Sequence, residues 1–346
     1  MVKIGFRVNF KTGSDNIQRC LTIASGLLET DPACEIFFFT SSSGSHNDKI
    51  INAGGTPFDF GPINTPSEDL EATEDAIKRY GIEILLLDSY SINEHYLKSI
   101  KPKVKLLVVL DDYPHLQNYH SNILINPNLY AHLLQYTHDD DTELLFGTEF
   151  FPLEKEFDQY TDFEHTNSDE VKHILVMFEG NDSKSTSILT VKALKTLQNH
   201  FSVTIIIDKL FKNSEALAKE IGLDSRFIVL QDVKEIAKKM ASCDLAISNP
   251  GSKFYEFAFF KIPTVFISYA NYRPIFSDYT SKNGLTILLN GDESAESLGN
   301  QLGQFISDKN ERIRLSARMD DLVDGLGRFR IADEILKMYK EKTEMI

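Results

Sequence analysis

The feature that most constrains this 346-residue chain is the alternation of short apolar runs with stretches of helical periodicity, almost from end to end. Strand-like runs occupy 2–9, 35–40, 83–88, 104–110 and 122–126, each bounded by turn residues. Runs apolar on nearly every residue read as strands covered on both faces. Between them lie amphipathic stretches at 15–30, 46–53, 67–80 and 91–100; in 67–80, Leu70, Thr73, Ile77 and Tyr80 recur at helical spacing. Strands that alternate with helices form parallel sheets, because a parallel pair needs a crossover long enough to hold a helix. The pattern lapses over 128–170, where only 129–136 reads as a short helix, and this stretch is taken as the join between two domains. It restarts at 173–178 and continues with strands near 203–207, 227–230, 245–248, 264–268 and 286–289. Helices are expected at 184–199, 213–221, 233–241, 252–260, 272–281, 293–306, 308–322 and 327–343. The expected architecture is two doubly wound α/β domains facing a cleft: 1–150, a linker at 151–170, and 171–330, with a C-terminal helix in 331–346 packing back on the first domain.

Charge and composition exclude several classes of function. Lys plus Arg number 36 against 51 Asp plus Glu, a net charge of −15, and no basic run suits a nucleic-acid backbone. The longest apolar stretches, such as 106–110 and 265–267, fall far short of the ~20 residues of a membrane helix. The opening Val2-Lys3-Ile4-Gly5-Phe6 reads as a strand without a signal-peptide pattern, and a cytoplasmic protein is expected. Three widely spaced cysteines (Cys20, Cys34, Cys243) exclude a disulfide framework and a Cys-built zinc site. His115, His120, His132 and His138 lack metal-ligand spacing, and Asp139-Asp140-Asp141 reads as a solvated turn, so neither a metal nor another cofactor is expected.

In doubly wound sheets ligands bind beyond the carboxyl ends of the strands. Five segments fall there. After the first strand come Asn9 and Lys11-Thr12-Gly13-Ser14-Asp15-Asn16, a glycine turn entering a helix with Arg19 and Cys20. Its amides suit a phosphate or a carbonyl, while Ser14 or Asp15 alternatively caps the helix. Asp88-Ser89-Tyr90 and Asp111-Asp112-Tyr113 follow two buried strands, where carboxylates orient sugar hydroxyls, act as acid and base, or cap the next helix. Phe178-Glu179-Gly180-Asn181-Asp182-Ser183 forms a turn whose amides suit an anion, without the spacing of an ATPase loop. The fifth is Ser248-Asn249-Pro250-Gly251-Ser252-Lys253-Phe254-Tyr255-Glu256, followed by Pro263 at the next strand and Asn271-Tyr272 at its far end. There the Gly251–Ser252 amides are expected to hold a diphosphate, and Glu256 to grip ribose hydroxyls. No GxSxG nucleophile elbow and no GxGxxG dinucleotide fingerprint is present.

Across most of its length the chain resembles the nucleotide-sugar hydrolases of pseudaminic-acid biosynthesis and their spore-coat polysaccharide relatives. These are GT-B-like enzymes built of two Rossmann-like domains and similar to the transferase that adds GlcNAc to the peptidoglycan lipid precursor. Arg7, Gly13 and Arg19-Cys20-Leu21 look like the opening motif; Asp88 and Tyr90 like the Asp-x-Tyr; Asp111-Asp112 like the paired aspartates. Asn126 and Asn128 look like the asparagines after the next strand, and 147–157 like the Gly-to-Glu-Phe linker. Gly180 and Asp182 look like the Gly-Gly-x-Asp turn, and Gly251, Glu256, Pro263 and Asn271 like the uridine-diphosphate-binding segment. Three positions depart from the pattern. Asn16 stands at the family's catalytic histidine, and an amide is no base. Glu179 replaces a glycine beside the expected phosphate nest, and Tyr272 replaces a glutamine.

The resemblance implies a UDP-amino-sugar substrate. With the reading of the turns, the expected binding side is Arg7, Gly13, Asp88, Gly180, Asn181, Asp182, Ser248, Gly251, Ser252, Glu256 and Tyr272. On the reacting side stand Asp15, Asn16, Tyr90 and Asn271, with Asp15 or another carboxylate activating water and Tyr90 and Asn271 orienting the sugar. A glycosyltransferase acting on a glycan or protein acceptor, and a non-catalytic nucleotide-sugar binder, are the alternative readings.

Overall fold

A computed structural model describes residues 1–8, 15–41, 44, 46–179, 182, 184–198, 200–208, 211–269 and 273–344, with the backbone alone at residue 15. The chain divides into two compact units, residues 1–155 with 325–346 and residues 156–324. The first unit is built on β1 (Lys3–Val8), β2 (Glu35–Thr40), β3 (Thr56–Asp59), β4 (Ile84–Asp88), β5 (Leu106–Leu110), β6 (Ile123–Asn126) and β7 (Glu143–Phe146). These form one sheet in the order β3-β2-β1-β4-β5-β6-β7, parallel at every pairing. Its crossovers carry α1 (Asp15–Thr30), α2 (Asn47–Asn52), α3 (Pro66–Tyr80) and α4 (Glu94–Ile100).

The strand residues alternate between two cores. Phe6, Phe38, Leu86 and Val108 face Ile17, Cys20 and Leu27 of α1. Phe39, Leu85, Leu87 and Val109 instead join Ile77 of α3 and Leu97 of α4. Burial of both faces explains why these strands read as unbroken apolar runs. Local chemistry sets the helix ends. Thr65 Oγ1 accepts from the Glu68 amide, Pro66 opens α3, and Gly81 at φ 67° closes it in the left-handed region.

The second unit repeats the design with β8 (His173–Met177), β9 (Ser202–Ile207), β10 (Phe227–Gln231), β11 (Leu245–Ser248), β12 (Thr264–Ser268) and β13 (Ile287–Asn290). The order is β10-β9-β8-β11-β12-β13, again wholly parallel. Its helices are α5 (Thr186–Lys195), α6 (Ser214–Ile221), α7 (Ile236–Ala241), α8 (Lys253–Phe259), α9 (Pro274–Lys282), α10 (Ala295–Ser307) and α11 (Lys309–Arg318). The final helix α12 (Gly327–Glu344) lies on α1, with Ile331 and Ile335 in the first unit's core. The approach is close. A Cβ on Gly26 would fall 2.6 Å from the Arg328 carbonyl oxygen, and one on Gly327 would fall 2.2 Å from that of Phe151.

Two strands differ from the sequence reading. The stretch 128–170, expected to be a join, carries β7 as the outer strand of the first sheet, and 129–136 holds only a 3₁₀ turn at Ala131–Leu133. The opposite edge strand, β3, is likewise absent from the sequence reading. Edge strands lack a second neighbour and keep exposed residues such as Glu143 and Leu144, so the apolar run that marks a central strand is missing. Pro57 in β3 is tolerated because an edge strand leaves one side of its ladder unpaired. No helix among the described residues is long and apolar enough to cross a membrane.

Candidate functional site

In both sheets the strand order reverses beside the first strand, between β1 and β4 and between β8 and β11. Such switch points open a crevice at the carboxyl ends of the strands. In the first unit Asp88 ends β4, Asp111 and Asp112 follow β5, and Asn126 ends β6. Arg19, one turn into α1, ties the first two loops together. Its Nε and Nη2 donate to Asp88 at 2.5 and 2.6 Å, and Nη1 reaches both oxygens of Asp112 at 2.9 and 3.0 Å. Asn16 Nδ2 donates to Asp88 Oδ1 (2.9 Å), Tyr90 Oη to Asp112 Oδ2 (2.8 Å), and Asn128 Nδ2 to Asp112 Oδ1 (2.7 Å). Asp88 is fully buried, whereas the Asp112 side chain is 24% exposed and Tyr90 39%.

The two carboxyls sharing Arg19 are pushed apart. Burial, aided by the nearby Asp112 charge, holds the Asp88 carboxyl above the ordinary range in spite of Arg19. Burial also works against the Asp112 charge, but Arg19, Tyr90 and Asn128 outweigh it and hold that carboxyl below the ordinary range. Burial beside Asp112 raises the Tyr90 phenol, which therefore stays protonated. This end of the sheet presents a fixed anion, a phenol and two carboxamides, groups suited to orienting a polyhydroxylated ligand.

Asp111 forms an adjoining cluster. Its Oδ1 accepts the Tyr113 amide (3.0 Å), and its Oδ2 accepts His115 Nδ1 (2.9 Å) and the Tyr119 hydroxyl. His115 was weighed in the sequence only for metal-ligand spacing; the signal that could have found it is an Asp and a His four residues apart just past a buried strand.

Several of the expected site residues have partners within the fold. Arg7 is 1% exposed: Nε and Nη2 donate to Asp69 at 2.9 and 2.5 Å and Nη1 donates to the Val8 and Phe39 carbonyls. Arg19 is paired with two carboxylates, Asp88 and Asp112. In the second unit Asp182, at φ 42°, caps α5 by accepting the amides of Thr186 (2.7 Å) and Ser187 (2.9 Å). Ser248 is buried and donates its hydroxyl to the Met177 carbonyl (2.5 Å), stitching β11 to β8. The seat expected for a diphosphate at Gly251 and Ser252 already holds a carboxylate. Glu179 Oε1 accepts from Ser252 Oγ (2.9 Å) and from the Lys253 amide (2.5 Å). A Cβ at residue 251 would fall 1.9 Å from Glu179 Oε2. Glu256, expected to grip ribose, is buried and accepts from Lys253 Nζ at 2.6 Å. Gly13, Gly180, Asn181, Asn271, Tyr272 and the Asp15 side chain lie outside the described residues. Among the described residues no group of three or more His, Cys, Asp or Glu could hold a metal ion.

No family model matches the chain. It is 24% identical over 345 residues to an uncharacterized protein of Methanocaldococcus jannaschii, covering 95% of this chain and 65% of that protein. It is 25% identical over 194 residues to a Helicobacter pylori protein named pseudaminic acid cytidylyltransferase and UDP-2,4-diacetamido-2,4,6-trideoxy-beta-L-altropyranose hydrolase, covering 55% of this chain and 35% of that protein. The chain thus spans less than two thirds of the curated relatives it matches, 65% and 35% of their lengths. Among solved structures it superposes on Acinetobacter baumannii MurG with a TM-score of 0.70 at 11% identity, covering 97% of this chain and 100% of that one. For the Neisseria meningitidis UDP-GlcNAc 2-epimerase bound to UDP-GlcNAc the TM-score is 0.67 at 10% identity, with the same coverage of 97% and 100%. For the calicheamicin glycosyltransferase CalG4 it is 0.69 at 12% identity, covering 98% of each chain. The fold is GT-B-like. Within this GT-B-like chain, the first unit brings together the polar residues at β4, β5 and α1 that the sequence singled out. Among the described residues of the second unit, Ser252 is bonded to Glu179 and Glu256 to Lys253, while Asp182 and Ser248 are bonded to nearby backbone.

Proposed function

We propose that the protein is a nucleotide-sugar-processing enzyme of surface-glycan biosynthesis that cleaves the anomeric bond of a UDP-amino-sugar. The observation that carries this reading is the cluster of Asn16, Arg19, Asp88, Tyr90, Asp112 and Asn128 at the switch point of the first sheet, graded from buried to exposed. Proteins named for UDP-sugar chemistry, the H. pylori protein similar in sequence and the N. meningitidis epimerase similar in fold, support it. Tyr90 and Asn128 would meet the sugar hydroxyls or its acylamino group, with Asp112 and Arg19 holding them in place. The residues 180–183 and 248–256, with Asn271 and Tyr272, are our candidates for the nucleotide side. For the described part of that segment, Glu179 must leave the Lys253 amide before a phosphate can take it.

Transfer to a glycan or protein acceptor is a second reading, and the role of Asn16 favours it. Its carboxamide donates to Asp88 and supplies no base for water at that position. Incubation with UDP-GlcNAc and a panel of CMP-, TDP- and GDP-sugars separates the outcomes. UDP released into buffer indicates hydrolysis, and UDP released only when an acceptor is added indicates transfer. Neither binding nor release with any donor would overturn both.

A further inference from the structure

We propose that His115, held by the buried carboxylate of Asp111, is the proton-transfer group of the first unit's cluster. The inference rests on the donor-cleaving reading above and adds to it the base that Asn16 does not supply.

The geometry is that of an oriented imidazole. Asp111 is 1% exposed, and among the described residues the ionisable nitrogen that touches it is His115 Nδ1 at 2.9 Å. Tyr119 and the Tyr113 amide complete its hydrogen bonds. A buried carboxylate in that setting accepts the Nδ1 proton, which leaves the lone pair of the neutral ring on Nε2. The His115 amide in turn donates to Tyr119 Oη (3.0 Å), so the backbone and the ring are anchored to one scaffold. The ring is 27% exposed and meets the Tyr90 ring edge-on at 5.5 Å. Tyr90 is the exposed tip of the Arg19–Asp112 network. A proton acceptor and a sugar-orienting phenol therefore stand side by side at one strand end.

The groups facing the ring agree in sign. The Asp111 hydrogen bond raises the His115 pKa above its ordinary value, burial opposes it, and the Tyr113 and Ile92 carbonyls add to the rise. Tyr119 and Tyr90, the other titratable groups against the ring, both have phenols raised by burial and stay neutral. Asp111 thus stabilises the imidazolium that proton transfer creates. In the step, the oxygen of water or of an acceptor hydroxyl bonds to the anomeric carbon as the bond from that carbon to the phosphate oxygen breaks. The electron pair of the broken bond leaves on UDP, and the nucleophile's proton passes to His115 Nε2 and then to solvent.

The test uses the full chain with UDP-GlcNAc, following UDP release from about pH 5 to pH 9, the span over which a histidine changes charge. His115→Gln should lower kcat by about 100-fold or more with KM within about threefold. Asp111→Asn should lower kcat less and move the acid limb of the profile to lower pH, because the ring loses the charge that holds its proton. A structural role for Asp111 would not move that limb. Imidazole NMR of the wild type and Asp111→Asn supplies a readout that does not need turnover. A His115 pKa at or below about 6.5 in the wild type overturns the inference. UDP release that survives His115→Gln overturns it while leaving the donor-cleaving reading intact. No release by the wild type from any donor overturns that reading and the role of His115 with it.

Discussion

The two switch points are built alike and charged in opposite senses. In the first unit the element after the first strand supplies a cation, Arg19, and the fourth strand supplies its carboxylate, Asp88. In the second unit the loop after the first strand supplies the carboxylate, Glu179, and the segment after the fourth strand supplies the donors, Ser252 Oγ and the Lys253 amide. A buried charge has to be met by its own fold or by a ligand. The first unit meets its charges and still presents Tyr90, Asp112 and His115 to the surface, whereas Glu179 covers the donors that a phosphate would need. The lesson is that a shared topology fixes where a ligand can sit, and the side chains at the strand ends decide whether that place is open.

The comparison can be broken most directly at Arg19. Arg19→Met would leave the buried Asp88 and the partly exposed Asp112 beside each other without a counter-charge, at a cost of about 3–5 kcal/mol. Urea unfolding should show that loss together with abolished nucleotide release. Arg7→Met should cost a similar amount through the orphaned Asp69, but the double variant Arg7→Met/Asp69→Leu should recover much of it, as for a pair that is purely structural. On the other side, Glu179→Gln removes the resident anion. If the second unit takes a diphosphate at this turn, calorimetry should find UDP binding about tenfold tighter, roughly 1.4 kcal/mol; unchanged affinity would place the phosphates elsewhere. A smaller effect is expected from Ser252→Ala, which deletes one bond to Glu179 and should shift stability by about 1 kcal/mol or less. The smallest is a pH effect. With its folded pKa depressed, Asp112 contributes stability that is fully present above about pH 4 and fades as pH falls through the folded value. The urea midpoint difference between wild type and Asp112→Asn should therefore shrink on acidification.

The central strands were legible because burial on both faces writes an unbroken apolar run, as in Ile84–Leu87 and Leu106–Leu110. The outer strands β3 and β7 were not, since a half-exposed strand with Pro57 or Glu143 carries no such run. Asp88, Tyr90 and Asp112 could be singled out because a carboxylate just past a buried strand has a predictable position. Their partners could not. Arg19 lies 69 residues from Asp88, and Arg7 lies 62 from Asp69, separations at which only the folded chain brings donor to acceptor. Glu179 stood out as a charge near a presumed phosphate nest, but its capture of the Lys253 amide depends on β8 and β11 being neighbours in the sheet.

The placement of α12 has a consequence for biosynthesis. Ile331 and Ile335 cover the α1 face of the first sheet, yet they are translated after every residue of the second unit. A growing chain therefore contains every residue of the second unit before the first receives the Ile331 and Ile335 that complete its core. Between those two moments the nascent protein is most exposed to chaperones and to its own neighbours on the polysome.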